Sequence, residues 1–82
     1  MKTVDIAQKK KAKRADFEAA AGKKLPHPTV QFVSDKGQYV IAMEDNVLVE
    51  DSGQPMYFDT WAAAGQTVLS FGQPMFYVDT HP

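Results

Sequence analysis

The segment TVQFVSDKGQYVIAM, residues 29–43, decides the fold class of this 82-residue chain. Two runs rich in β-branched and aromatic residues flank Asp35-Lys36-Gly37, where glycine can adopt the positive φ that a tight hairpin needs. Tyr39, Ile41 and Met43 are spaced two apart, which is the side-chain period of a strand. The segment therefore predicts a β-hairpin.

Further short strands are predicted downstream of this hairpin, separated by turn-forming residues. They are NVLVE (46–50), PMYFDT (55–60) and PMFYVDT (74–80). Residues 60–72 allow two interpretations. One is a helix with Thr60 as N-cap and Gly72 just past its end. The other, which we favour because of Gly65 and the run Thr67-Val68-Leu69, is one helical turn over 61–64 followed by a strand over 66–71.

Upstream, a helix is predicted with Thr3 as N-cap and Gly22 as C′, because residues 6–21 contain no Gly or Pro. It lacks a continuous apolar stripe, and Pro26 and Pro28 stop it. The predicted organisation is a basic N-terminal helix (1–24), a Pro-rich linker (25–28) and an antiparallel β domain (29–82). The predicted fold class is α+β, with a strongly bent antiparallel sheet or small partly open barrel of five to six short strands.

Charge is divided unevenly along the chain, although the net charge is only −1. Residues 1–24 hold eight Lys or Arg against three Asp or Glu, whereas residues 25–82 hold one against seven. Such asymmetry between segments is typical of a protein that binds a charged partner.

Several classes of function are disfavoured by the sequence. The chain has no cysteine, no phosphate-binding glycine loop and no nucleophile elbow. Its two histidines, His27 and His81, are expected to be solvated, so we predict no enzyme, no metal and no cofactor. No apolar run is long enough to span a membrane, and no secretory signal is evident, so we expect a cytoplasmic protein.

Two sets of residues are the candidate binding sites. Adjacent aromatics at 57–58 and 76–77 must place one ring on each face of a strand, and turn carboxylates surround them. The predicted protein-binding set is Tyr57, Tyr77, Glu44, Asp45, Glu50 and Asp51. A second set, for nucleic acid or an acidic partner, is Lys9, Lys10, Lys11, Lys13 and Arg14.

These features favour a small non-enzymatic protein that binds, and inhibits or regulates, a protein or complex that handles nucleic acid. In size and charge layout the chain is similar to small phage-encoded inhibitors and regulators. One alternative is direct nucleic-acid binding through the basic N-terminal helix. Another is a structural or assembly protein that oligomerises through a sheet edge. The oligomeric state stays open.

Overall fold

A five-stranded mixed sheet with two helices on one face is the architecture of the computed structural model, which describes residues 10–20, 27–43, 46–73 and 75–79. The strands are β1 (Lys10–Ala12), β2 (Thr29–Val33), β3 (Gln38–Met43), β4 (Asn46–Leu48) and β5 (Tyr77–Asp79). The helices are α1 (Arg14–Ala20) and α2 (Trp61–Ser70). The spatial order is β1-β4-β3-β2-β5, and the sheet is open. The predicted α+β class is confirmed.

The predicted hairpin at residues 29–43 is confirmed, and it forms the centre of the sheet. Strands β2 and β3 pair antiparallel, with Val30 opposite Ile41 and Phe32 opposite Tyr39. Gly37 has a φ of 63° and its N–H donates to the Val33 carbonyl at 2.9 Å, which closes the turn. Strand β4 then pairs antiparallel with the other side of β3.

The prediction of an all-antiparallel sheet or barrel is wrong at both edges. β1 pairs parallel with β4, and β5 pairs parallel with β2. The physical reason is that α1 lies between β1 and β2 in the chain, and α2 lies between β4 and β5. A helix can return the chain to the starting end of the sheet, so the strand after it can run parallel to an earlier one. The interpretation that we favoured for residues 60–72, a turn and a strand, is wrong, and the helical alternative is correct. The Thr60 hydroxyl caps α2 by accepting the Ala63 N–H at 3.1 Å, and Gly72 follows the helix with a φ of 88°.

The segment PMYFDT (55–60) is not a full strand. It makes two isolated bridges, Val49 with Pro55 and Tyr39 with Phe58. The Tyr39 and Phe58 backbones exchange two hydrogen bonds of 2.8 Å. Phe58 thus pairs with the start of β3, whereas β4 pairs with the end of β3. Proline has no N–H, so this segment cannot build a continuous ladder.

The prediction that residues 6–21 form one helix is wrong over Lys10–Lys13. These residues form β1 and the junction to α1, which begins at Arg14. The Asp16 carboxylate accepts the Lys13 N–H at 2.9 Å, as an acidic N3 residue does in a capping box. The Ala12 carbonyl accepts the Val49 N–H at 2.9 Å. Pairing with β4 thus overrides the helix propensity of the lysines. Thr3, Gly22 and the first half of the predicted linker, Leu25 and Pro26, lie outside the described residues.

The main core lies between the sheet and the two helices. Its buried members are Ala12, Phe17, Val30, Ile41, Met43, Leu48, Ala64, Val68 and Phe71. Phe17 is fully buried, and its ring lies 5.7 Å from that of Phe71. β1 and α1 are therefore part of the same core as the hairpin. A second buried cluster, on the other face of the sheet, consists of Val33, Val40, Val47 and Val49, with Tyr57 packed against it.

Candidate functional site

An open groove lies where the start of α1 meets the turn after β4. Its volume is about 470 Å³, and its lining residues are Arg14, Val49, Glu50, Asp51, Ser52 and Met56. We call it the charged groove. It contains Arg14 from the predicted basic set and Glu50 and Asp51 from the predicted acidic set.

Local hydrogen bonds fix both walls of the charged groove. On one side, Ala12 at the end of β1 pairs with Leu48 of β4. Arg14, two residues later, is the first residue of α1, so this pairing sets its position. On the other, the Gly53 N–H donates to the Glu50 carbonyl at 2.8 Å, and the Glu50 N–H donates to the Gln54 carbonyl at 2.8 Å. These bonds close a tight turn that carries Glu50 and Asp51, so the acidic wall has a defined backbone.

Arg14 is held in place by two neighbours. Its Nε donates to Glu18 Oε2 at 3.2 Å, and its guanidinium carbon lies 5.4 Å from the centroid of the Phe71 ring. The Arg14 side chain is nevertheless 61% exposed, so its remaining N–H groups are accessible. An exposed pair of this kind contributes little to folding stability, and its charge remains available to a partner.

The floor of the charged groove is apolar. Val49 is buried and Met56 is half-buried, packed against the main core. The Met56 N–H donates to the Leu48 carbonyl at 3.1 Å, which ties the backbone of Met56 to the end of β4. An apolar centre with a charged rim is the usual anatomy of a protein-binding surface.

Three further members of the predicted basic set lie on or next to the edge strand β1. Lys10 and Lys11 are exposed on β1, and Lys13 is exposed at the junction to α1. In the described parts of the chain, none of these three lysines forms an ion pair. The prediction that a helix presents them is corrected: an edge strand presents Lys10 and Lys11. Lys9 lies outside the described residues.

The predicted protein-binding set does not form one surface. Tyr77 is on β5, at the edge of the sheet opposite β1, and 54% of it is exposed. Tyr57 is half-buried against the second cluster, with Lys36 Nζ 5.5 Å from its ring centroid. Of the two adjacent pairs, Phe58 and Phe76 pack against the main core, which leaves Tyr77 as the more exposed ring of its pair. Glu44 and Asp45 lie outside the described residues.

A surface that the sequence analysis missed lies on α2 and β5. Trp61, Leu69, Met75 and Val78 are large apolar residues with 42–50% of their surface exposed. The sequence offered one signal for it, since α2 contains no charged residue in ten positions. That signal was hidden because we favoured a strand over 66–71, which would have dispersed these residues.

Comparison of the chain with models of protein families, with curated proteins and with solved structures finds no match. Among the described residues, no three His, Asp or Glu side chains are placed to hold a metal ion. Neither described helix has the length and apolar character needed to cross a membrane.

Proposed function

We propose that this protein is a non-enzymatic interaction protein that binds, and so inhibits or regulates, a protein or complex that handles nucleic acid. The charged groove is the proposed binding surface. The observation that supports it most is that Arg14, Glu50 and Asp51 line one groove together with apolar residues. Residues far apart in the sequence, from the basic and the acidic segments, are thereby presented to one partner.

The distribution of charge supports a protein partner that carries both signs. Proteins that handle nucleic acid have basic surfaces for phosphates and acidic surfaces elsewhere. The acidic wall of the groove is complementary to a basic surface of the partner. Lys10, Lys11 and Lys13 are complementary to an acidic one. Complementary charge of this kind accelerates association and fixes the orientation of the partner.

Direct nucleic-acid binding is the second candidate, and the exposure of Lys10, Lys11 and Lys13 on one edge favours it. Three lysines would release counterions from a phosphate backbone and give a salt-dependent affinity. However, Glu50 and Asp51 border the same groove and repel phosphates. For this reason we place the protein partner first.

Capture from an extract of the native host, with charge variants of the full chain, tests the proposal. Glu50→Lys and Asp51→Lys should each reduce the amount of captured protein, roughly tenfold for a well-buried contact. Asp35→Lys is the matched control. Asp35 is exposed in the β2–β3 turn, so this substitution makes the same change of charge away from the groove. It should capture as the wild type does.

Two results would contradict the proposal. One is capture that neither groove variant alters. The other combines two measurements: nuclease treatment abolishes the capture of all host protein, and the purified chain binds random-sequence DNA or RNA with an affinity that falls steeply as salt rises. That second result would support direct nucleic-acid binding, and Lys11→Glu should then abolish it.

A further inference from the structure

Among the described strands, β5 has a neighbour on one side only, so one row of its backbone hydrogen-bonding groups faces away from the sheet. β5 is the last strand in the order of the sheet. The Tyr77 N–H donates to the Pro28 carbonyl at 2.9 Å, so the backbone of Tyr77 faces β2. Because successive residues of a strand direct these groups to opposite sides, the N–H and C=O of Val78 face the open edge.

Within the described residues, the edge strand β5 is short and carries Asp79, but it has no lysine, no proline and no bulge. Natural proteins protect edge strands with lysine, proline or a bulge. In β5 the outward residue is Val78, which is 42% exposed, and its neighbours Tyr77 and Asp79 continue in regular register with Thr29 and Gln31 of β2.

The residue that precedes β5 packs against α2. A Cβ added to Gly65 would overlap the Phe76 ring, so that ring rests directly on the helix at this glycine. Trp61 and Leu69, four residues before and after Gly65, lie in the same row of the helix. They therefore flank Phe76, and Val78 follows two residues later on the same face of the strand.

Charge is nearly absent from the described elements next to this edge. In α2, β2 and β5 together, Asp79 is the only charged residue. Loss of charged residues with retention of aromatic and aliphatic ones is typical of the centre of a protein interface. A surface of this kind is complementary to another apolar, neutral surface, and a second copy of the chain offers one.

We propose that the protein forms a two-fold symmetric dimer in which the β5 strands of two copies pair antiparallel, centred on Val78. At that centre, the two Val78 residues exchange both backbone hydrogen bonds, which is the closely bonded pair of an antiparallel ladder. Tyr77 of each copy then lies opposite Asp79 of the other, so two carboxylates do not face each other. The result is a continuous ten-stranded sheet.

The same axis brings the apolar rows of the two α2 helices together. An axis perpendicular to the sheet keeps both helices on one face, with Trp61 and Leu69 of each copy directed toward the shared edge. The four exposed apolar side chains of this surface and Tyr77 together offer roughly 400 Å² per copy, which puts the interface at the weak end of specific associations. The dimer should therefore dissociate on dilution, and it leaves the charged groove, at the opposite edge, accessible.

Sedimentation equilibrium of the full chain, from about 5 µM to about 1 mM, tests this dimer. The expected mass rises from 9.1 kDa toward twice that value and stops there. Val78→Pro removes the backbone N–H that donates across the dimer interface. In the isolated subunit this N–H faces solvent, so the variant should still fold. Dimerisation should weaken about tenfold or more. Val78→Thr retains the N–H and the branched shape, and it is the matched control that should still dimerise.

A second variant tests the dimer without changing the strand. Leu69→Lys places a charge on the exposed side of α2, so the subunit should fold and the dimer should be lost. A monomer throughout the concentration range would overturn the proposal. So would a dimer that Leu69→Lys leaves intact, or a mass that continues to rise beyond two copies.

Discussion

The two edges of the sheet are built alike in backbone and differently in side chains. Both edge strands, β1 and β5, contain three residues and pair parallel with their inner neighbour. In both, the middle residue directs its backbone N–H and C=O outward: Lys11 in β1 and Val78 in β5. One edge thus carries a charge at the position where the other carries an exposed aliphatic side chain.

This difference teaches how one small sheet can support two kinds of contact. A lysine at an open edge must lose its water when another strand approaches, so it opposes β-pairing and favours a charged partner. A valine at the same position gains from burial. The β1 edge therefore suits the charged groove and its proposed partner, and the β5 edge suits a second copy.

The largest expected effect concerns how firmly each edge is attached to the core. Phe17, next to β1, is fully buried, whereas Phe76, next to β5, is only partly buried. Phe17→Ala should lower the free energy of unfolding by about 3–5 kcal/mol, a large part of what a small domain has. Phe76→Ala should cost clearly less. Urea denaturation at low protein concentration measures both, and equal losses would contradict the difference between the edges.

A smaller loss is expected from Gly65→Ala. Alanine improves helix propensity by about 1 kcal/mol, but its Cβ would overlap the Phe76 ring and displace it. Overpacking of this kind costs about 1–3 kcal/mol, so the net change in unfolding free energy should be destabilising or near zero. Without the Phe76 ring, the added Cβ should meet no overlap. The double variant Gly65→Ala with Phe76→Ala should therefore be more stable than Phe76→Ala alone. A stabilised single variant would show that the ring does not rest on Gly65.

Exchanging the residues at the two edges should exchange their behaviour. Val78→Lys should weaken the dimer about tenfold or more, equivalent to about 1.4 kcal/mol, because two lysines would meet at its centre. Lys11→Val should leave the dimer intact and expose a second edge that can pair, so light scattering should detect larger assemblies. A Lys11→Val protein that remains a dimer at all concentrations would show that the charge does not protect β1.

The smallest effect concerns the caps that position the edges. Thr60→Ala removes the oxygen that accepts the Ala63 N–H at the start of α2, and it should cost about 1 kcal/mol. Thr67→Ala is the matched control, because its hydroxyl bonds only the Ala63 carbonyl inside the same helix. It should be near neutral in a thermal melt, whereas Thr60→Ala should melt several degrees lower. Similar melting temperatures would argue against the cap.

The hairpin and the α+β class could be predicted from the sequence because their signals are local. Alternation over residues 29–43 and the positive φ at Gly37 are properties of neighbouring residues. The helix α2 was also visible in its Thr60 cap and in Gly72, but Gly65 obscured it. The use of Gly65 is tertiary, since it accommodates the Phe76 ring, and no local pattern shows this.

The edges themselves could not be predicted, because pairing over long separations decides them. Lys10 and Lys11 have helix propensity, yet β4 draws them into the sheet. For the same reason the charged groove, which joins Arg14 to Glu50 and Asp51, was predicted only as two separate sets of residues. Tyr77 was predicted as a partner-binding residue; it is exposed, and its place at the edge opposite β1 depends on α2.

Residue-resolved amide exchange, measured by NMR at low and high protein concentration, tests the difference between the edges most directly. We predict that exchange of the Val78 N–H slows as the concentration rises, because the dimer protects it, while the Lys11 N–H exchanges at a constant rate. A Val78 N–H whose exchange does not depend on concentration, or a Lys11 N–H that becomes equally protected, would contradict the account.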